Sequence, residues 1–356
     1  MRRRRRKPTK RLLILALALF LGSSFFLLKP SPNQPEEPQQ EAGVDLSVPI
    51  VDFAIPLDAT SAVLMDADSG QVLFAKDAHR QVAPASLTKM LTALVAVKGW
   101  DLDLPIKVSP SAARTGGTRV GLAAGSEIQL ESLVWGLLLR SGNDAARAIA
   151  QGLAGSEEAF VEQMNRAARR LGANSSNFVN PHGLSAPGHL STAYDLALIA
   201  KALLEEETLA RIVRSEEEVV RWGGGKREIK NINRFVREYP GAIGIKTGYT
   251  DEAGFCLASA AEQDGRRLIA IVLGCSSSNA RYHDSMRLLN QGFANYEYLF
   301  TGKGMAKYPT CYHTVEKGQT LSYIARKYNC TEGVLAEANG LKPPYRLEVG
   351  QHLVIP

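Results

Sequence analysis

Cysteine and histidine are scarce in this chain, and their spacing does not suit a metal site. The 356 residues include four cysteines and six histidines. No two cysteines are separated as in a CxxC motif, and His182 and His189 lack the i, i+4 spacing of a helical metal-binding pair. The sequence therefore predicts no metal site.

An excess of positive charge is also absent outside the N-terminus. The chain carries a formal net charge of +6, but eight cations lie within residues 1–11, and removing them leaves −2 for the remainder. A near-neutral remainder does not suggest a basic surface of the kind that binds nucleic acid. We expect no nucleic-acid partner.

One long uncharged apolar run directly follows this basic cytoplasmic segment. Residues 12–28 read LLILALALFLGSSFFLL and would span about 25 Å as a helix, which is short for a bilayer but possible. Cations on the N-terminal side keep that end in the cytoplasm, so the rest of the chain is predicted to be exported. We favour an uncleaved membrane anchor over a cleaved signal peptide. The proline-rich residues 29–49 are typical of an extended, disordered linker.

An exported chain is free to form disulfides, and the four cysteines fall into two groups. Cys256 and Cys275 lie on neighbouring β-rich runs, where a buried thiol pair and a disulfide are both open. Cys311 and Cys330 lie together near the C-terminus, where a bridge is equally open.

The order of β-rich and helical segments predicts an α+β domain. Two β-rich runs, SAVLMDADSG and QVLFAKDA, precede a block of helices, which includes 127–140 and 142–153. Three further β-rich runs follow, AIGIKTGYT, FCLASAAE and RLIAIVLG, and then a helix over 280–300. Strands from both ends would form one mostly antiparallel five-stranded sheet with the helices packed beside it.

A serine and a lysine share one face of a predicted apolar helix. Ser86 and Lys89, in VAPASLTKMLTALVAV, are three residues apart and therefore neighbours on a helix surface. A lysine amine activates a serine hydroxyl only when it is neutral, and burial or a second cation would depress its pKa. Taken alone, this pair is more typical of a serine near a helix cap.

Two later motifs strengthen the catalytic interpretation. LLLRSGNDAARA places Ser141 and Asn143 at a break between two helices, and GIKTGYTDEAG places Lys246-Thr247-Gly248 at a strand end. Ser-x-x-Lys, Ser-x-Asn and Lys-Thr-Gly in this order form the element set of penicillin-interacting serine enzymes.

The chain from about residue 54 to 300 resembles the D-alanyl-D-alanine carboxypeptidases, a class of low-molecular-mass penicillin-binding proteins. Four segments carry the resemblance: ASLTKMLTALVA, LLLRSGNDAARAIA, NPHGLSAPGHLSTAYDLALIA and GIKTGYTDEAGFCLASA. The resemblance implies the penicillin-binding-protein/β-lactamase-like fold, with the site between the sheet and the helices. It assigns residues 50–301 to a catalytic domain and 302–311 to a connector.

The resemblance also implies a role for each motif residue, with no cofactor. Ser86 attacks the carbonyl between the last two D-alanines of a peptidoglycan stem peptide, and Lys89 accepts its proton. Ser141, helped by Lys246, passes a proton to the leaving amine. Asn143 holds Lys89 and the backbone amide of the substrate. β-Lactams are the implied inhibitors.

Substrate binding is implied for residues on or beside the strand of the third motif. They are Lys246, Thr247, Gly248, Tyr249 and Arg281. The backbone N–H groups of Ser86 and Tyr249 would form an oxyanion hole. Lys246 and Thr247 would receive the substrate carboxylate, and Gly248 would let the peptide lie close to the strand. Arg281 would lie near that carboxylate, or it is simply an exposed arginine at a helix start.

Residues 312–356 resemble a LysM module with the order strand, helix, helix, strand. Such modules bind N-acetylglucosamine-containing glycans, which makes peptidoglycan the expected partner. The implied glycan-binding loops contain Gly318, Thr320 and Leu321, and then Gly340 and Leu341. The expected location is the outer face of a bacterial cell membrane, in contact with the wall, or secreted if the N-terminal segment is cleaved.

Two other functions share part of this pattern. A serine β-lactamase has the same three motifs, but NPHGLSAPGHLS occupies the stretch that would supply a Glu-x-x-x-Asn-type deacylating glutamate. A non-catalytic wall-binding protein would use the LysM module alone. His182 in the NPHGL segment is a weaker candidate for a second base, since a Pro-His-Gly turn is more typical of a structural loop.

Overall fold

The computed structural model describes residues 55–302, 311–328 and 331–355. The predicted basic segment, the anchor or signal segment 12–28 and the linker 29–49 lie outside the described residues, as do most of the connector and Cys330. Within the ranges described, no helix is long and apolar enough to cross a membrane.

The elements are numbered here in chain order. The strands are β1 (Ser61–Asp66), β2 (Val72–Lys76), β3 (Pro105–Lys107), β4 (Glu127–Gln129), β5 (Glu217–Trp222), β6 (Gly225–Lys230), β7 (Ala242–Thr250), β8 (Gly254–Gln263), β9 (Arg266–Cys275), β10 (Cys311–Thr314) and β11 (His352–Ile355). The helices are α1 (Thr88–Gly99), α2 (Pro110–Ala113), α3 (Leu130–Leu139), α4 (Asn143–Ala154), α5 (Glu157–Arg170), α6 (Ala193–Leu204), α7 (Glu207–Arg214), α8 (Phe235–Glu238), α9 (Ser278–Ala294), α10 (Tyr296–Thr301), α11 (Leu321–Lys327) and α12 (Glu332–Ala338).

Strands from both ends of the catalytic region form one five-stranded sheet. Its order is β2-β1-β9-β8-β7, and every neighbouring pair is antiparallel. Side chains alternate between its faces: Ile269 and Ile271 pack against the helical block, whereas Leu268 and Ala270 pack beneath α9. These are the five predicted strands, so the predicted fold class is confirmed.

Helix α1 lies at the centre of the helical block. It packs against α3, α4, α5, α6 and α7, and its first seven residues are all buried. This surrounding explains why VAPASLTKMLTALVAV is apolar on every side and not amphipathic. It also places the start of α1 deep in the domain, next to β7.

Three local predictions differ from the structure. The helix predicted over 127–140 begins at Leu130, because 127–129 pair with 105–107 as a small hairpin. The helix predicted over 280–300 is two helices, which meet at Asn295. The β5–β6 hairpin was not predicted, although Gly223 and Gly224 mark its turn, because charged side chains dominate β6 and make up half of β5.

Cys256 and Cys275 are buried free thiols. Phe255, and not Cys256, is the cross-strand partner of Cys275. Burial raises the pKa of Cys256 to about 11 and raises that of Cys275 as well, so both remain protonated thiols at neutral pH.

The C-terminal unit has the predicted order of strand, helix, helix and strand. Strands β10 and β11 pair antiparallel, and α11 packs against α12. Val315, Ile324, Leu335 and Leu353 form its small core. The predicted Cys311–Cys330 bridge is untested, since Cys330 lies outside the described residues.

Candidate active site

Ser86 lies in a short turn at the buried end of α1. The turn is a single 3-10 turn, Ala85–Leu87, which directly precedes the helix. The sequence predicted Ser86 within the first turn of α1 itself, but the three-residue spacing has the same consequence, since Lys89 Nζ lies 2.9 Å from Ser86 Oγ. The side chain of Ser86 is partly exposed, whereas Lys89 is fully buried. A substrate can therefore reach the hydroxyl while the amine stays shielded from water.

The Lys89 amine has three close oxygen neighbours. Nζ lies 2.7 Å from Asn143 Oδ1 and 2.5 Å from the backbone oxygen of His182, in addition to its contact with Ser86. The amide of Asn143 is oriented by its Nδ2, which donates to Gly116 O at 2.8 Å. Both Asn143 Oδ1 and His182 O only accept hydrogen bonds, so they occupy two N–H groups of the amine. In the neutral amine the remaining lone pair faces the Ser86 hydroxyl.

Burial and neighbouring charge favour that neutral amine. Loss of hydration on burial holds the pKa of Lys89 well below its ordinary value of 10.5, and the charge of Lys246 lowers it further. The carboxylate of Asp144 acts in the opposite direction and raises this pKa. Since desolvation is the largest cause, the apolar surroundings of α1 make Lys89 a candidate base.

Asp144 is a site residue that the sequence did not reveal. Its two carboxylate oxygens accept from the backbone N–H groups of Val120, Gly121 and Leu122 at 2.9, 2.8 and 3.0 Å. The same loop holds Asn143, whose backbone N–H donates to Thr118 O. An acidic residue in a first helical turn is typical of many helices, so its neighbour Asn143 was the only available signal.

Ser141 occupies the predicted break between α3 and α4. Its backbone is left-handed, with φ of 60°, and its side chain is 5% exposed. A serine in this conformation is uncommon and needs support from its surroundings. Gly142 supplies part of that support, because a Cβ there would lie 2.9 Å from Val120 Cγ1. The turn thus sets both Ser141 and Asn143 relative to α4.

The third motif lies on β7, at the edge of the sheet. A Cβ added to Gly248 would lie 3.1 Å from the backbone N of Ser86, so the strand passes directly beside the nucleophile turn. Lys246 is 1% exposed, and its Nζ donates to Thr247 O at 2.8 Å. Burial lowers the pKa of Lys246 to about 7, and the charge of Arg281 contributes.

Arg281 and Tyr249 flank this strand. Arg281 lies in the first turn of α9 and is half-buried. Its Nη1 donates to Gly248 O at 3.0 Å. It is therefore held at the strand and is not simply an exposed helix-start arginine. The Tyr249 side chain is 49% exposed, and its hydroxyl donates to Asp251 Oδ1. The part of Tyr249 in the site is therefore limited to its backbone.

His182 contributes its backbone and not its ring. The carbonyl contacts Lys89, whereas ring Nε2 lies 3.4 Å from Glu157 Oε1. That contact is electrostatic with poor hydrogen-bond geometry, since Nε2 has no well-aligned partner among the described residues. Ring Nδ1 accepts from Leu184 N, and burial lowers the pKa of His182, so the ring is neutral. A role as a second base is not favoured by this arrangement.

The predicted glycan-binding residues lie in two loops of the C-terminal unit, except Leu321, which is the first residue of α11. Gly318 and Gly340 both have positive φ, and Thr320 caps α11 by accepting from Tyr323 N. Leu321 is 2% exposed and belongs to the small core, so its side chain is not available at the surface. Leu341 packs partly buried against the same core.

The motifs that the structure brings together match a known family. Residues 50–277 match the D-alanyl-D-alanine carboxypeptidase family, Peptidase_S11. The chain belongs to this family. Residues 313–356 match the LysM domain family, so an S11 domain and a LysM domain are combined in one chain.

Several relatives share the S11 region. D-alanyl-D-alanine carboxypeptidase DacF of Bacillus subtilis (strain 168) is 38% identical over 246 residues, which cover 67% of this chain and 63% of DacF. The chain therefore spans less than two thirds of the length of DacF. DacD of Escherichia coli (strain K12) is 33% identical over 317 residues, which cover 83% of this chain and 75% of DacD.

Solved structures of the family have the same fold. The crystal structure of D-alanyl-D-alanine carboxypeptidase from Mycobacterium tuberculosis H37Rv superposes with a TM-score of 0.65 at 34% identity, covering 68% of this chain and 94% of that one. The Streptomyces K15 DD-transpeptidase superposes with a TM-score of 0.65 at 28% identity, covering 68% and 99%.

Proposed function

We propose that this S11-family protein is a serine D-Ala-D-Ala carboxypeptidase that removes the terminal D-alanine from peptidoglycan stem peptides. The proposal rests on one observation above the others. The buried amine of Lys89, whose N–H groups are engaged by Asn143 Oδ1 and His182 O, faces Ser86 Oγ at 2.9 Å. Membership of the S11 family supports the substrate class.

Acylation begins with the Ser86 hydroxyl. Its oxygen attacks the carbonyl carbon between the last two D-alanines while its proton passes to Lys89. The backbone N–H groups of Ser86 and Tyr249 stabilise the negative oxygen of the tetrahedral intermediate. Asn143 keeps Lys89 oriented. It also forms a hydrogen bond with the substrate backbone, as donor or acceptor.

Breakdown of the intermediate requires a proton on the departing nitrogen. Lys89 gives up the proton that it took from Ser86, Ser141 relays this proton to the amine with the help of Lys246, and the C–N bond breaks to release D-alanine. The remaining peptide is held as an ester on Ser86. A water molecule then attacks the ester carbonyl, its proton returns through Lys89, and free Ser86 is regenerated.

Three cationic or polar groups suit the carboxylate of the terminal D-alanine. Lys246 and Thr247 are the direct ligands in this proposal, and Arg281 adds positive charge at the same strand end. Gly248 leaves room for the peptide to lie against β7. Buried cations concentrated in this way attract an anionic substrate and discriminate against an uncharged chain end.

The LysM domain suggests where the enzyme acts. We place the protein on the outer side of the cell membrane, where the LysM domain binds glycan and keeps the catalytic domain near its polymer. Binding of one chain at two sites raises the local concentration of stem peptides without any new contact in the active site. The apolar run at 12–28 supports export by anchor or signal peptide.

Penicillin labelling tests the proposed function. We expect benzylpenicillin to add its full mass to the protein, with the adduct mapped by mass spectrometry to the peptide that contains Ser86, and Ser86→Ala as the unlabelled control. We also expect D-alanine release from a pentapeptide ending in D-Ala-D-Ala. Rapid turnover of a chromogenic cephalosporin would instead indicate a β-lactamase, and an unlabelled wild-type protein would indicate a wall-binding protein without catalysis.

The pH dependence of peptide hydrolysis is expected to follow the protonation of the Lys246 amine. Its ammonium form binds the carboxylate and is lost as the pH rises through the pKa of about 7, so kcat/KM should fall above that pH. Lys246→Arg keeps its charge at all accessible pH values and should move the fall to alkaline pH. Measured pH–rate profiles of both proteins check this. An unmoved fall in the arginine variant would assign the titration to another group.

A further inference from the structure

The backbone immediately before the nucleophile is in an unfavourable conformation. Ala85 has φ of 47°, in the left-handed region that residues with a Cβ rarely adopt. It is 1% exposed, so solvent does not compensate for the strain. Such a residue persists only when neighbouring groups hold it in place.

The peptide bond that Ala85 shares with Ser86 makes this conformation important. The C=O of Ala85 and the N–H of Ser86 belong to one planar unit and point in opposite directions. The Ser86 nitrogen lies beside β7, where a Cβ on Gly248 would lie 3.1 Å from it. Any group that fixes the direction of Ala85 O therefore also fixes the direction of the Ser86 N–H, one of the two proposed oxyanion-hole donors.

Thr88 and His189 form a hydrogen-bond chain that ends on Ala85 O. Thr88 Oγ1 donates to Ala85 O at 2.8 Å, and His189 Nε2 lies 2.9 Å from Thr88 Oγ1. At the other side of the ring, Val179 N donates to His189 Nδ1 at 3.0 Å. Because Nδ1 accepts, the ring proton of a neutral imidazole is on Nε2, which must donate to the threonine oxygen.

Each step of this chain has one direction. The N–H of Val179 donates to the imidazole, the imidazole donates to the Thr88 hydroxyl, and the hydroxyl is left with its proton directed at Ala85 O. Thr88 is fully buried and His189 is 2% exposed, so water does not compete for these bonds. Burial lowers the pKa of His189 to about 4, which keeps the ring neutral near pH 7.

We propose that Thr88 and His189 are positioning residues that orient the Ala85–Ser86 peptide and so aim the Ser86 N–H at the developing oxyanion. Neither side chain touches the substrate, and both act through the peptide bond before Ser86. The proposal rests on the proposed function, since it requires an acyl transfer to Ser86.

Paired substitutions separate this role from simple packing. Thr88→Val keeps the shape of the side chain and removes the hydroxyl, whereas Thr88→Ser keeps the hydroxyl. Asparagine at 189 retains an acceptor near the Nδ1 position for Val179 N–H but does not reach Thr88. Glutamine at 189 retains a donor near the Nε2 position but loses the bond to the Val179 loop.

The experiment measures the rate of acylation by benzylpenicillin, kcat and KM for a D-Ala-D-Ala peptide, and the thermal unfolding midpoint. We expect Thr88→Val and His189→Asn to slow acylation about tenfold and to lower kcat with KM unchanged, because an oxyanion donor acts only in the transition state. Thr88→Ser and His189→Gln should stay within about threefold of wild type. The double variant Thr88→Val/His189→Asn should be acylated no more slowly than the slower of the two single variants.

Distinct outcomes overturn the proposal and the function on which it rests. A wild-type protein that forms no penicillin adduct overturns both. If wild type is acylated and Thr88→Val reacts at the same rate, this proposal alone is wrong. It is equally wrong if His189→Asn keeps full activity while His189→Gln loses it, or if the rates simply follow the unfolding midpoints of the four variants.

Discussion

Replacing Lys89 by methionine is expected to slow acylation of Ser86 by benzylpenicillin about 10²- to 10⁴-fold, the usual range for removal of a general base. Methionine has a similar length and suits the apolar surroundings, but it has no lone pair that accepts the serine proton at this position. Ser86 itself, with its partly exposed hydroxyl, is unchanged. The second-order rate constant of adduct formation, measured by mass spectrometry over time, checks the expectation.

Arginine at the same position is the informative comparison. If Lys89 acts as a charged hydrogen-bond donor, Lys89→Arg should retain part of the rate. If it acts as a neutral base, arginine should fail as completely as methionine, since a guanidinium is never deprotonated in proteins. Lys98→Met, on the exposed end of the same helix, controls for loss of a lysine from α1. Fast acylation of Lys89→Met would contradict the assignment of the base.

Gly183→Ala is expected to disable the site without touching a motif residue. An alanine Cβ would lie 1.8 Å from Ala85 O, which is far inside van der Waals contact, and φ at this position is 86°. Either the 180–184 loop or the turn before Ser86 must move, and the same loop carries the carbonyl that holds Lys89. We expect at least a 100-fold loss of penicillin acylation and about 3 kcal/mol or more of lost stability, combining left-handed strain with overpacking.

Gly155→Ala is the matched control for the strain alone. Gly155 has φ of 78° at the end of α4, and no heavy atom lies within 4 Å of the Cβ position. This variant should lose about 1–2 kcal/mol from the left-handed conformation and keep the wild-type acylation rate. Urea unfolding and penicillin labelling of both variants separate the two contributions. Equal stability losses together with equal acylation rates would show that the close approach at Gly183 has no consequence.

Predictions from the sequence were most successful where a local pattern of residues is typical of a single kind of secondary structure. The apolar run within RRLIAIVLGC predicted a strand, and β9 lies in the middle of the sheet with its central residues buried. The weaker predictions fell where local and tertiary preferences compete. Residues 127–129 continue a helical pattern, yet pairing with 105–107 takes them into a hairpin.

The catalytic candidates divide in the same way. Ser86, Asn143 and the Lys-Thr-Gly segment were named from their spacing, and the structure places them at one end of α1 and beside it. Asp144 and Gly183 were not named, because a carboxylate that holds a loop and a glycine that admits a carbonyl have no local sequence signature. Their roles depend on residues 20 to 100 positions away.

The sequence by itself determined the family, the five strands of the main sheet with the helical block between them in the chain, and the chemical groups available for acyl transfer. Periodicity and motif spacing are local properties that follow directly from the amino-acid sequence. Only the tertiary structure decided that Lys89 is dehydrated, that its two N–H groups are occupied by Asn143 and His182, and that Ala85 is held in a left-handed turn. The pKa of an amine and the direction of an N–H depend on what surrounds them in space, and segments distant in the sequence supply those surroundings.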